Sequence, residues 1–175
     1  DVILNSRDPA ALGKATADLA DSGARARAVA FDVTNAESVG EAIDHIEREI
    51  GAIDILVNNA GMQHRSPLED FPEDKFEQIL RTNVTSVFLV GQAVARHMIP
   101  RASGKIINIC SLMVNVARPS IAPYGASKAA VANLTRGMAT EWARHGINVN
   151  GIAPGYFKTE LNEALVRETD FTAWV

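Results

Sequence analysis

The feature that most restricts this chain is an alternation of short apolar runs with longer segments of helical period. Val2 to Leu4, Ile53 to Val57, Ile106 to Ile109 and Ile147 to Ala153 are apolar runs of strand length. Between Ala26 and Phe31 the pattern alternates instead, with Arg27, Val29 and Phe31 set against Ala26, Ala28 and Ala30. A strand buried on both faces reads as a continuous apolar run, and strands joined through helices run parallel. The expected class is α/β, a doubly wound parallel sheet with helices on both faces.

The segments between these runs carry helix punctuation. Asp8 can cap a helix with Pro9 at its first position, Leu12, Thr16 and Leu19 form its stripe, and Gly23 stops it. Thr34 and Glu37 read as a capping box for a second helix striped by Val39, Ile43, Ile46 and Ile50 and closed by Gly51. Helical pattern resumes from about Pro72 to Leu80 and again from Val84 to Met98, with a break near Asn83 and an end at Pro100. A long helix through Tyr124 runs to about His145 before Gly146, and Thr159 to Val166 reads as a short helix. No repeat or linker interrupts the pattern, so residues 1–175 read as a single domain.

Charge and cysteine content exclude several classes of partner. The formal net charge is −4 over 175 residues, without a basic patch, which gives no attraction to nucleic acid or to an anionic membrane. No apolar run reaches the length of a membrane span, and no signal-peptide pattern opens the sequence. The lone Cys110 reads as a small buried hydrophobe in a reducing compartment, so a cytoplasmic location is expected. His45, His64, His97 and His145 lack metal-ligand spacing, and no metal is expected.

Chemistry concentrates between Ile106 and Lys128, where an apolar strand ends on Cys110 and Ser111, a loop follows, and a helix presents Tyr124 and Lys128. Residues four apart share a helix face. A phenol titrates near pH 10, but an ammonium beside it favours the phenolate. At about 4 Å and an effective dielectric of about 20 the attraction is of order 4 kcal/mol, enough to let a tyrosine exchange protons near neutrality. The pair alone could equally be a solvated helix face. Ser111 at a strand end, Asn58-Asn59-Ala60-Gly61 at the end of another strand, and Asn83 at the head of an apolar helix favour the chemical reading.

This constellation resembles the short-chain dehydrogenase/reductase family. The resemblance implies a Rossmann-like fold, hydride transfer to or from a nicotinamide dinucleotide, and a catalytic tetrad at Asn83, Ser111, Tyr124 and Lys128. In that reading Ser111 bonds the substrate oxygen, Tyr124 moves the proton, and Lys128 lowers the tyrosine's pKa while holding the nicotinamide ribose. Asn83 holds a relay water; as a bare residue it could be an interior polar cap. Cofactor contacts are implied at Asp32 and Val33 beside the adenine, at Asn58, Ala60 and Gly61 along the ribose, and at Pro154, Gly155 and Thr159 around the carboxamide. Ser6 and Arg7 end the strand that discriminates the two dinucleotides. A hydroxyl and a guanidinium there favour NADP(H), while Asp8 nearby leaves NAD(H) open.

Further similarity, in Gln63-His64-Arg65, in ICSLM with Arg118-Pro119, and in APGYFKTE, points within that family to a sugar acid substrate. His64, Arg65, Arg118 and Lys158 are the available cations, with Arg65 favoured for the carboxylate and a solvated loop position open for each. Val114-Asn115-Val116 departs from the expected small polar and acidic residues. A 3-oxoacyl thioester or another polyol remains an alternative substrate, and a non-catalytic nucleotide sensor an alternative of another class. Family members pair through the helices matching Val84 to Met98 and Tyr124 to His145, which implies a homotetramer. The family's first strand, its glycine-rich turn and its last helix and strand find no match here. The chain therefore reads as part of a longer parent, poorly stable and inactive alone, with two inner strand edges unpaired.

Overall fold

The computed structural model describes residues 1–155. Its strands are β1 (Val2–Leu4), β2 (Ala26–Ala28), β3 (Ile55–Asn58), β4 (Gly104–Ile109) and β5 (Ile147–Ile152). The α-helices are α1 (Pro9–Asp21), α2 (Ala36–His45), α3 (Glu73–Leu80), α4 (Ser86–Arg101) and α5 (Ala122–Trp142). All strand pairs are parallel, in two sheets ordered β1-β2 and β3-β4-β5. This is the Rossmann-like α/β class expected from the alternation, and no strand among the described residues joins the two sheets.

Register explains which residues make the core. Leu56, Ile106 and Val149 lie abreast, and so do Ile55, Lys105 and Asn148 one residue earlier. Side chains alternate faces along a strand, so the first row enters the core and the second faces outward. Ile106 is fully buried, whereas Ile55 is 60% exposed. The buried row packs with Val39 and Ile43 of α2, Val87, Val90, Val94 and Met98 of α4, and Val131 and Met138 of α5.

Local chemistry sets the helix ends. Asp8 caps α1 by accepting the Ala10 and Ala11 amides, as its position before Pro9 suggests. At α2 the cap is Asn35, which accepts the Ser38 amide, and not Thr34. Thr34 is engaged elsewhere: its amide and hydroxyl both donate to Asp32 at 2.8 Å, so it cannot turn toward the helix. Nor does Pro100 stop α4, which continues through Arg101 and ends on left-handed Ala102. Pro100 stands in the last turn of the helix, exposed, where a proline costs a single intrahelical hydrogen bond. Gly146 closes the turn after α5 at φ 71°, where a Cβ would lie 2.3 Å from the Ala102 carbonyl oxygen.

Strand lengths fall short of the sequence expectation at two places. β2 stops at Ala28 rather than Phe31, because Asn5 of the β1 turn donates to the Val29 and Phe31 carbonyls in place of a backbone ladder. β3 starts at Ile55 rather than Ile53, whose amide donates to Glu47. The stripe through Ile46 and Ile50 continues as a π-helical turn, Ile46–Ile50, closed at Gly51.

Candidate active site

The break at Asn83 is a π-helical turn, Arg81–Thr85, leading into α4. Such wide turns carry an extra residue and occur often at functional sites. Here the turn drives Asn83 inward to 1% exposure. Its carboxamide oxygen accepts the Met62 amide at 2.8 Å, while its nitrogen donates to the Met62 carbonyl and to Ser127 Oγ, each at 2.9 Å. Ser127, fully buried, donates in turn to the Tyr124 carbonyl at 2.7 Å. One polar chain thus ties the segment after Asn58–Gly61 to the first turns of α5.

Tyr124 is half-buried near the start of α5, and Lys128 one turn later is 5% exposed. The Lys128 Nζ donates to the Ile109 carbonyl at 2.6 Å and lies 5.9 Å from the centre of the Tyr124 ring. That bond carries the ammonium to the last residue of β4, two positions before Ser111. Burial pushes the Lys128 pKa down, with the nearby Cys110 acting in the other direction. Cys110 is itself buried, and that burial raises its thiol pKa. Ser111 is half-buried and caps the 3-10 turn Leu112–Val114 by accepting the Met113 amide at 3.2 Å. Gly125 faces Met113 across this junction, so α5 and the Ser111 turn are in close packing.

Gly61 completes the cluster. A Cβ there would stand 3.4 Å from Asn83 Oδ1 and 3.7 Å from Lys128 Nζ, so exposed backbone at Gly61 adjoins both groups. Ala60 is exposed as well and Asn58 is half-buried. At the ends of the other strands, Gly155 adjoins Leu112 of the Ser111 turn, with Pro154 half-buried beside it. Thr159 lies outside the described residues. Asp32 and Val33 follow β2, and the Asp32 carboxyl is held below its ordinary value, first by the Thr34 amide and further by its hydroxyl, Arg7 and Arg81, against a raising effect of burial. Ser6 accepts the Asp8 amide at 3.2 Å, and Arg7 is exposed.

The cations expected at a substrate carboxylate sit on two loops that meet. The Ser66 amide donates to the Ser120 carbonyl at 3.1 Å, joining the segment of His64 and Arg65 to that of Arg118. All three are half-buried. His64 sets its ring edge against Phe71, with centroids 5.5 Å apart. Lys158 lies outside the described residues. Ser127 and Met62 escaped the sequence reading: a serine between a tyrosine and a lysine carries no period of its own, and a backbone partner leaves no trace in residue type.

A Rossmann-like parallel sheet with Ser111, Tyr124, Lys128 and Gly61 gathered at its strand ends defines a dinucleotide-linked dehydrogenase, and the chain belongs to the short-chain dehydrogenase family, whose profile, described as short chain dehydrogenase, matches residues 1–170. It acts as an oxidoreductase on a CH–OH group. Among curated relatives it is 53% identical to gluconate 5-dehydrogenase of Gluconobacter oxydans (strain 621H), over all of this chain and 68% of that one. Over 99% of this chain and 68% of that relative, it is 51% identical to 5-keto-D-gluconate 5-reductase of Escherichia coli (strain K12). Among solved structures, a gluconate 5-dehydrogenase from Burkholderia cenocepacia J2315 in complex with NADP and tartrate superposes with a TM-score of 0.94 at 51% identity, over 98% of this chain and 68% of that one.

Proposed function

We propose that the protein interconverts a sugar acid hydroxyl and its ketone, D-gluconate and 5-keto-D-gluconate, using NADP(H). The observation that carries this reading is the meeting of Lys128 Nζ, Asn83 and bare Gly61 backbone beside the Ser111 turn, in a chain about half identical to enzymes named for that substrate pair. The residues present suit a dinucleotide. Exposed Ala60 and Gly61 offer backbone for close approach, and the buried Lys128 ammonium beside Gly61 would donate to a ribose hydroxyl. Arg7, exposed at the β1 turn, supplies a guanidinium for a 2′-phosphate.

When bound, the nicotinamide supplies or accepts the hydride. The chain's own groups handle the oxygen. Ser111 Oγ donates to the carbonyl oxygen, Tyr124 Oη passes its proton to that oxygen as charge develops, and Lys128 balances the phenolate that remains. Asn83, with its carboxamide committed to Met62 and Ser127, holds the geometry of this corner. Arg65 is the proposed partner of the substrate carboxylate, with His64 and Arg118 beside it, since an acidic protein must present local cations to hold an anion. Residues 1–175 form one domain in this reading, and the protein works in the cytoplasm as a homotetramer paired through α4 and α5. Among the described residues no helix is long and apolar enough to cross a membrane.

The deciding experiment measures NADPH consumption at 340 nm by the full-length protein, with 5-keto-D-gluconate and an acetoacetyl thioester in parallel, and with NADH in place of NADPH. Turnover of the keto acid with a preference for NADPH is the expected result. Turnover of the thioester alone would overturn the substrate assignment, and none with any carbonyl would overturn the enzyme reading.

A further inference from the structure

An asparagine in the middle of an apolar strand calls for a physical reason. Asn108 of β4 is fully buried, and its neighbours Ile107 and Ile109 are apolar. A carboxamide taken out of water is costly unless every hydrogen-bonding group finds a partner. Asn108 finds them in two directions. Its oxygen accepts from Asn58 Nδ2 at 2.9 Å, and its nitrogen donates to Thr135 Oγ1 at 2.9 Å. Thr135 donates its own proton to the Val131 carbonyl at 2.7 Å, so its lone pair is what Asn108 meets. The chain therefore has one sense, from β3 through β4 into α5.

Its three anchoring points are the three elements of the candidate site. Asn58 pairs with Asn108 in the sheet register and opens the loop to Gly61. Asn108 of β4 stands three residues before Ser111, which follows the end of that strand. Thr135 lies seven residues after Lys128, two turns along the same side of α5. A valine or isoleucine could fill this place in the core, but it would leave β3, β4 and α5 free to settle at slightly different levels. Buried polar groups are best attested as devices that fix register. A slip of β3 against β4 by one residue would break the Asn58–Asn108 bond.

We propose that Asn108 is a positioning residue that holds the Asn58 loop, the Ser111 strand end and the Tyr124–Lys128 helix at one common level. This rests on the oxidoreductase reading above. The test compares Thr135→Val, Thr135→Ser and Asn108→Leu in the full-length protein. NADPH affinity is read by fluorescence, and kcat and KM with 5-keto-D-gluconate, well below each variant's melting temperature. Thr135→Val should lower kcat about tenfold with NADPH affinity and KM within about twofold, because only the helix is released and small misplacements weigh on chemistry more than on binding. Thr135→Ser, which keeps the hydroxyl, should restore kcat. Asn108→Leu should also weaken NADPH about tenfold by releasing the Asn58 loop.

A folded Thr135→Val with parental kcat, or a loss that Thr135→Ser does not rescue, overturns the proposal, and this pair decides it even if Asn108→Leu does not fold. Should the parent bind NADPH without reducing the keto acid, the substrate reading fails separately. NADPH affinity then decides for Asn108, through Asn108→Ala where leucine prevents folding, since alanine likewise removes the acceptor that holds Asn58: weakening of about tenfold supports the proposal, and parental affinity overturns it.

Discussion

The two sheets share parallel pairing and little else. In β3-β4-β5 the two longest strands are paired over six residues, one face packs on α2, α4 and α5, and a buried polar chain links strand to helix. In β1-β2 each strand has three residues, Val2 is 43% exposed, and past Leu4 the Asn5 carboxamide bonds the Val29 and Phe31 carbonyls. The proposed proton-transfer groups belong to the first sheet, and Ser6 and Arg7, proposed to discriminate cofactors, with Asp32, proposed beside the adenine, to the second. Chemistry that needs tight geometry rests on the deep core, whereas recognition of a charged group needs only a cation within reach at a surface turn.

Substitutions can break or sharpen this contrast. The largest effect should come from Tyr124→Phe, which removes the proposed acid-base hydroxyl and should lower kcat about 10²- to 10⁴-fold while NADPH still binds. Steady-state rates beside fluorescence titration check it, and retained turnover would move the proton-transfer role elsewhere. Next, Ile106→Ala should destabilise the protein by about 2–5 kcal/mol, against less than about 1 kcal/mol for Val2→Ala at the exposed sheet. Urea denaturation of both variants measures the gap, and equal losses would show that the two sheets are energetically one. Arg7→Ala should raise KM for NADPH about tenfold and leave NADH nearly unchanged, since a charged hydrogen bond contributes about 1.5–3 kcal/mol. A parallel change with both cofactors would remove Arg7 from 2′-phosphate recognition.

The smallest effect concerns acid. A carboxyl whose folded pKa is depressed stabilises the fold above its unfolded value, and that stability is lost as pH falls through the folded value. Asp32 is such a group, held down first by the Thr34 amide. Asp32→Asn should therefore flatten the decline in melting temperature from about pH 5 to about pH 3, and an unchanged acid limb would show that the Thr34 turn adds nothing to stability.

Much of the fold was legible because strand and helix periods are local properties. The Pro9 helix, the apolar strand before Ser111 and the Gly146 stop emerged where residue type alone demands them. What escaped depended on partners far along the chain. Thr34 could not be told from Asn35 as a cap until Asp32 claimed its hydroxyl. The candidate site was visible as residue types at strand ends, while the Asn83–Ser127 and Asn58–Asn108–Thr135 chains join positions 44, 50 and 27 residues apart.

By itself the sequence determined the class of fold, the parallel sense of the sheet and the family, because apolar period, capping residues and the spacing of Tyr124 and Lys128 are written along the chain. Only the tertiary structure decided that Lys128 is buried against the Ile109 carbonyl, that the Asn83 carboxamide is spent on Met62 and Ser127, and that Asn108 bonds across both β3 and α5. The physical reason is that a polar side chain in a core takes its meaning from the partners that repay its desolvation, and those partners are chosen by the packing of distant elements.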